Sequence, residues 1–124
     1  MGSDVRRHLG QTGEDLACEH LRRRGYRIVE RNYRTRWGEL DIVGFNGHTL
    51  AFCEVKTRRL SRTGGVPLEA VHPRKQGRVR KMAGQWLIER TGRPHADVVR
   101  FDAIGVIVDG DDRLVSLEHL EGAF

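Results

Sequence analysis

The chain has 124 residues, which is the size of one ordinary domain, with enough apolar side chains for a modest core. Hydrophobic residues make up 38% and charged residues 31%, a globular rather than a disordered composition. Lys and Arg number 22 against 17 Asp and Glu, so the formal charge is +5 and the pI about 9.9, a balance that suits a polyanion such as nucleic acid as well as an arginine-rich solvated surface.

Two cysteines, Cys18 and Cys53, are far apart and in no CxxC pair, which excludes a disulfide framework and a zinc site and reads as two buried thiols. The six histidines have neither HxxxH nor HExxH spacing and read as structural or surface residues. No apolar run reaches the roughly 18 residues of a spanning helix, and the N-terminus has no apolar signal core. A cytoplasmic protein with no membrane partner is expected.

In chain order, Thr12-Gly13-Glu14-Asp15 reads as a helix start capped by Thr12. Leu16, Ala17, His20 and Leu21 give its inward stripe. Arg22, Arg23 and Arg24 suit the C-terminal end of the dipole, and Gly25 the C′ position. Tyr26 to Tyr33 reads as a strand with Tyr26, Ile28 and Glu30 on one side and Val29 on the other. Leu40 to Phe45 and Thr49 to Val55 are two further strands. Asn46-Gly47 between them predicts a type I′ hairpin turn. Residues 59–68 read as a polar loop. Pro73 to Thr91 is helical, with Val79, Met82, Ala83, Trp86 and Leu87 on one stripe and Trp86 in the core. Val98 to Val108 is a long strand, Asp109-Gly110 a turn, and Arg113 to Leu117 a short returning strand. Residues 1–124 are therefore expected to form a single domain with its core over about 10–120. Its order is α-β-β-β-α-β-β, and a central mixed sheet flanked by helices is the expected α/β packing.

The stretch GELDIVGFNGHTLAFCEVKTR, residues 38–58, carries the chemistry. A tight turn at Asn46-Gly47 sets Phe45 opposite His48, Asp41 opposite Phe52 and Glu39 opposite Glu54. Residues two apart on a strand share a face. Glu39, Asp41, Glu54 and Lys56 then emerge on one side. Opposed like charges repel. A divalent cation with hard oxygen ligands would neutralise them, and Lys56 adds a fixed positive charge. The same set suits phosphodiester hydrolysis. A solvated cross-strand Glu–Lys ladder is the plainer account of the same charges. Glu14 lies in line with the inward stripe of the first helix, where an acid is costly unless paired or metal-linked. A favourable place in the first helical turn is alone sufficient for it.

Asp41, followed by Glu54-Val55-Lys56, resembles the D…(D/E)-x-K signature of the PD-(D/E)xK nuclease superfamily. More closely, GEDLACEHLRRRGYRIVERNYRTRWGELDIV with LAFCEVKTR, RFDAIGVIV and LEHLEGAF resembles the bacterial YraN-like family over about residues 10–124. The resemblance implies a restriction-endonuclease-like fold, similar to archaeal Holliday-junction resolvases. It implies Mg²⁺ or Mn²⁺ on Asp41 and Glu54, with the carbonyl of Val55 in the same shell. Lys56 would attend the nucleophilic water, and Glu14 would hold a second metal or a water on it. Glu39 would be a further ligand or a hydrogen-bonding neighbour. Lys75 matches a lysine that the family places at the start of the second helix.

Arg58 continues the face of Glu54 and Lys56. Arg74 and Arg78 flank Lys75 near a helix N-terminus, a region suited to phosphates. Arg34, Arg36, Arg62 and Arg80 read as ordinary solvated arginines. Trp37 could stack on a base, although a Trp beside a turn is more often packing. Arg100 and Asp102 read as a structural pair or as support on the DNA side. The expectation is a metal-dependent nuclease acting on DNA, including branched or repair-intermediate DNA. The rival is a non-catalytic nucleic-acid-binding or interaction module of the same fold. RNA as substrate, a homodimer and a larger protein partner all stay open.

Overall fold

Helices and strands follow one another in the expected order. They are α1 (Gly2–Arg23), β1 (Arg27–Thr35), β2 (Gly38–Phe45), β3 (Thr49–Arg59), α2 (Pro73–Glu89), β4 (Val98–Val108) and β5 (Leu114–Leu120). The structure, a computed structural model, describes residues 2–60 and 73–124, without the side chains of residues 2, 3, 6 and 73–76. The loop expected over 59–68 therefore lies outside the described residues beyond position 60, and Arg59 belongs to β3. Arg62 lies outside them too.

The five strands form one mixed sheet in the order β1-β2-β3-β4-β5. All neighbours are antiparallel except β3 and β4, which are parallel because α2 intervenes. Each face carries an apolar cluster. Ala17, Cys18 and Leu21 of α1 pack on Ile42, Ala51, Cys53, Ile104, Val106 and Val108. Val79, Met82, Ala83 and Trp86 of α2 pack on Val43, Leu50 and Phe52. The period-2 pattern of β3 sends Leu50 and Phe52 to the α2 side and Ala51 and Cys53 to the α1 side. Both cysteines are buried and free, as expected. No helix among the described residues is long and apolar enough to cross a membrane.

Three expectations need correction. First, α1 begins at Gly2, not at Thr12. Leu9 lies about two α-helical turns before Leu16, where the expected stripe begins, and packs against the α1 cluster, so the apolar face continues upstream through Gly10. Second, the hairpin after β2 is not a type I′ turn. Gly47 has φ +95°, but Asn46 has no positive φ; its side-chain oxygen accepts from the backbone N–H of His48 and Thr49 at 3.0 and 2.7 Å. The loop is longer, Phe45 pairs with Leu50, and the register is displaced by two residues, with Ile42 opposite Cys53. Third, Glu30 does not share the side of Ile28. A register shift between them turns Glu30 toward α2, where it accepts from the Trp86 indole N–H at 2.8 Å and from the Arg90 guanidinium.

Candidate metal centre

The acids gather where the sheet loses its regular alternation. On β1, Arg31 reaches the α1 side to meet Glu14, while Tyr33 packs in the α2 cluster. Between them Asn32 has φ +55°, the left-handed region that Asn tolerates best among residues with a Cβ. On β2, Leu40 packs in the α2 cluster and Ile42 in the α1 cluster, so the pattern breaks beside Asp41. Tyr33 pairs with Leu40 and Arg31 with Ile42, which sets the two irregular positions side by side.

The β2–β3 ladder ends at the same point, its last pair being Ile42 and Cys53. Beyond it the Asp41 carboxylate, not a backbone carbonyl, accepts the Val55 N–H, at 2.7 Å. The fork opens a cavity of about 110 Å³ lined by Gly38, Glu39, Leu40, Asp41, Cys53, Glu54, Arg78, Val79 and Met82. Helix α1 supplies the remaining acid. A Cβ on the buried Gly13 would overlap the Thr57 side chain of β3, so only glycine lets the helix approach this closely. The next residue is Glu14.

Glu14, Glu39 and Asp41 each place a carboxylate oxygen within 4.8 Å of the others. The Asn32 amide, turned so that its nitrogen faces the acids, donates to Glu39 at 2.6 Å and to Glu14 at 2.7 Å. Arg31 stands 3.8 Å from Glu14 and donates to Asp15 at 2.8 Å. Burial raises the Glu14 carboxyl above its ordinary value; Arg31 and the Asn32 bond oppose this, and Glu39 and Asp15 reinforce it. Asp41 is shifted further, to about 7. Burial is the main cause, and repulsion from Glu14, Glu54 and Glu39 adds to it against the Val55 hydrogen bond.

Glu14, Glu39 and Asp41 thus come together as metal-ligand geometry requires. Glu54 lines the same cavity from β3. Glu39, Asp41 and Glu54 line one cavity, and Glu39 and Asp41 lie with Glu14; Lys56, two residues beyond Glu54 on β3, is exposed. Val55 meets Asp41 through its N–H. Arg78 lines the cavity, and Arg58 is exposed further along β3. The side chains of Arg74 and Lys75 lie outside the described residues. Asn32, Arg31 and Gly13 had no place in the site read from the sequence. The left-handed backbone that brings Asn32 to the acids leaves no mark in composition or periodicity.

A second polar network lies on the α1 side, away from this cavity. The fully buried Asp102 accepts two bonds from Arg100 at 2.8 Å, one from His119 at 2.8 Å and the Gly122 N–H at 3.0 Å. Despite burial, these bonds hold its carboxyl down at about 2. His119 in turn meets His20 of α1 at 3.0 Å. Arg100 and Asp102 are a structural ion pair.

Comparison with known proteins places the acids in a family. The family model "Uncharacterised protein family UPF0102" matches residues 13–106, from Gly13 within α1 to near the end of β4. The chain belongs to the UPF0102 family. A UPF0102 protein of Acidothermus cellulolyticus is 42% identical, with 98% of this chain and 97% of the relative covered. UPF0102 proteins of Frankia casuarinae and Geobacter sulfurreducens are each 46% identical, covering 94% and 99% of this chain and 95% and 93% of their own lengths. The UPF0102 match spans Glu14, Glu39, Asp41, Glu54 and Lys56 alike.

Proposed function

We propose that the protein is a metal-dependent nuclease of the PD-(D/E)xK type that hydrolyses phosphodiester bonds in DNA, with branched or repair-intermediate DNA as the favoured class. The observation that carries this reading is Asp41. Its carboxyl is half-buried at the end of a broken ladder, pushed up to about 7, with the half-buried Glu14 and the exposed Glu39 within 4.8 Å. Burial and the mutual repulsion of three acids held so close exceed what Asn32, Arg31 and the Val55 N–H offset, as the raised Asp41 value shows, and a cation joining the acids would relieve this. The donor set is all oxygen, which suits Mg²⁺ or Mn²⁺. Glu14, Glu39 and Asp41 would hold the ion, with Glu54 completing the wall of the cavity.

Such an ion supplies Lewis-acid polarisation of the phosphoryl oxygen and makes a water more acidic. The chain's own groups do the rest. Lys56, two residues beyond Glu54 on the same face of β3, brings an ammonium to the charge that develops on the phosphate. Arg78, at the cavity wall, holds a neighbouring phosphate. Val55 N–H fixes the Asp41 carboxylate in one orientation.

A second reading, a nucleic-acid-binding module without turnover, rests on Asn32 and Arg31, which already give Glu14 and Glu39 partners of the chain's own. One experiment separates the two. Labelled four-way junction, flap and duplex DNA are incubated with Mn²⁺ or EDTA, using wild type, Asp41→Asn and Glu54→Ala. Cleavage that needs Mn²⁺ and disappears in both variants supports the nuclease. DNA binding with no cleavage and no Mn²⁺-dependent rise in melting temperature supports the module.

A further inference from the structure

The tip between β1 and β2 adjoins the acid cavity. Thr35 Oγ1 accepts the Trp37 N–H and bonds the Gly38 carbonyl, each at 3.0 Å, and so fixes the Arg36-Trp37 turn. One part of the Trp37 ring packs against the α2 cluster, and the rest is accessible. The Arg36 guanidinium lies 4.5 Å from the ring centroid, and the Lys81 ammonium, from α2, lies 5.9 Å from it. Both cations are exposed. The next residue, Gly38, lines the cavity, and the Arg78 side chain passes it, with Cδ 3.9 Å from where a Cβ would stand.

A partly accessible indole attended by two exposed cations has the composition of a stacking platform. The ring offers a flat face, a planar guanidinium already rests over it, and cations stand ready for phosphates on either side. Gly38 and Asp41 are three residue steps apart along β2, about 10 Å. That is about three nucleotides at the 3.4 Å spacing of a stacked strand. A paired base inside a duplex cannot offer its face to the ring; an unpaired one can.

We propose that Trp37 stacks against an unpaired nucleotide, which takes the place of the Arg36 guanidinium, while the adjoining phosphates pass over Arg36, Lys81 and Arg78 toward the acid cavity. The inference rests on the nuclease reading and narrows its substrate to nucleic acid with unpaired bases close to the cut, such as a flap, an overhang or an open junction.

The sequence has two tryptophans, and Trp86 is fully buried. Emission changes on adding a ligand therefore report Trp37. Twelve-residue oligothymidylate and a blunt twelve-base-pair duplex are titrated into the wild-type protein at low salt with EDTA, so that nothing is cut. The expected result is quenching by oligothymidylate and little by the duplex. Trp37→Leu should then bind oligothymidylate about tenfold more weakly or worse, with Trp37→Phe between the two. The wild-type titration stands alone should Trp37→Leu fail to fold. Oligothymidylate binding with unchanged emission overturns the platform and leaves the nuclease reading intact. Absence of oligothymidylate binding by a protein that still cuts junction or flap DNA with Mn²⁺ likewise overturns the platform alone, and absence of both binding and cutting overturns both.

Discussion

The surroundings of Asp41 act directly on the charge of its carboxyl. An acid whose folded value is raised resists ionisation in the fold but not in the unfolded chain. Without metal, the contribution of Asp41 to stability should therefore be most favourable below the ordinary aspartate value of 3.8 and decline as pH rises toward about 7. Asp41→Asn keeps an oxygen for the Val55 N–H and removes the charge. It should be more stable than wild type by on the order of 2 kcal/mol at pH 8 in denaturant unfolding, with the difference fading near pH 4. The Val55 amide proton should report the same event in NMR titrations: its shift should move with a midpoint near 7, and Mg²⁺ should lower that midpoint. Asn32 answers to a related test. Asn32→Asp replaces the amide that donates to Glu14 and Glu39 with a further charge. It should destabilise the metal-free protein by roughly 1–3 kcal/mol, measured at neutral pH.

At the scale of elements, the closest fit is between α1 and β3. Gly13→Ala would drive a methyl group into Thr57, lift the helix and carry Glu14 away from Asp41. A loss of about 1–3 kcal/mol is expected. Thr57→Ala in the same chain should recover part of it, a coupling that a double-mutant cycle would measure. The contact between α1 and β5 should be pH-sensitive. His20 meets His119 at 3.0 Å, and burial first, then the charges of His119, Arg24 and Arg23, lower its pKa. A histidine depressed in the fold stabilises it while neutral, so stability should fall as pH drops through the ordinary value of 6.5. His20→Gln should flatten that dependence in unfolding curves taken between pH 7.5 and 5.5. These elements also show what a sequence can and cannot tell. The order of helices and strands was legible because β-branched runs, the Asn46-Gly47 turn and the Trp86 stripe each follow a short-range rule. The register was not, because Asn46 capped the loop with its side chain and lengthened it. Asp41 and Glu54 were legible as residue types at a spacing. How Glu39 and Asp41 meet Glu14 was not, since it depends on a left-handed Asn32 and a forked ladder that only tertiary packing creates.

For the whole molecule, charge and topology set the behaviour. On the proposed nuclease reading, a net charge of +5 with the exposed Arg78 at the acid cavity calls for strongly salt-dependent binding. The logarithm of the DNA association constant should fall linearly with the logarithm of salt, and Arg78→Ala should reduce the slope by about one. The sheet order repeats the chain order, and this has a kinetic consequence. Pairing of β1 with β2 and of β2 with β3 needs only short hairpin closures, whereas β3 meets β4 across the whole α2 excursion. Glu14, Glu39, Asp41 and Glu54 all lie before that long closure. On a nascent chain, or early in refolding, α1 and the first three strands can meet while β4 and β5 are still unfolded. The carboxylates would then repel one another before the second half of the sheet has formed. A divalent cation present from the start should speed refolding, with little effect on unfolding beyond what its binding to the native state requires.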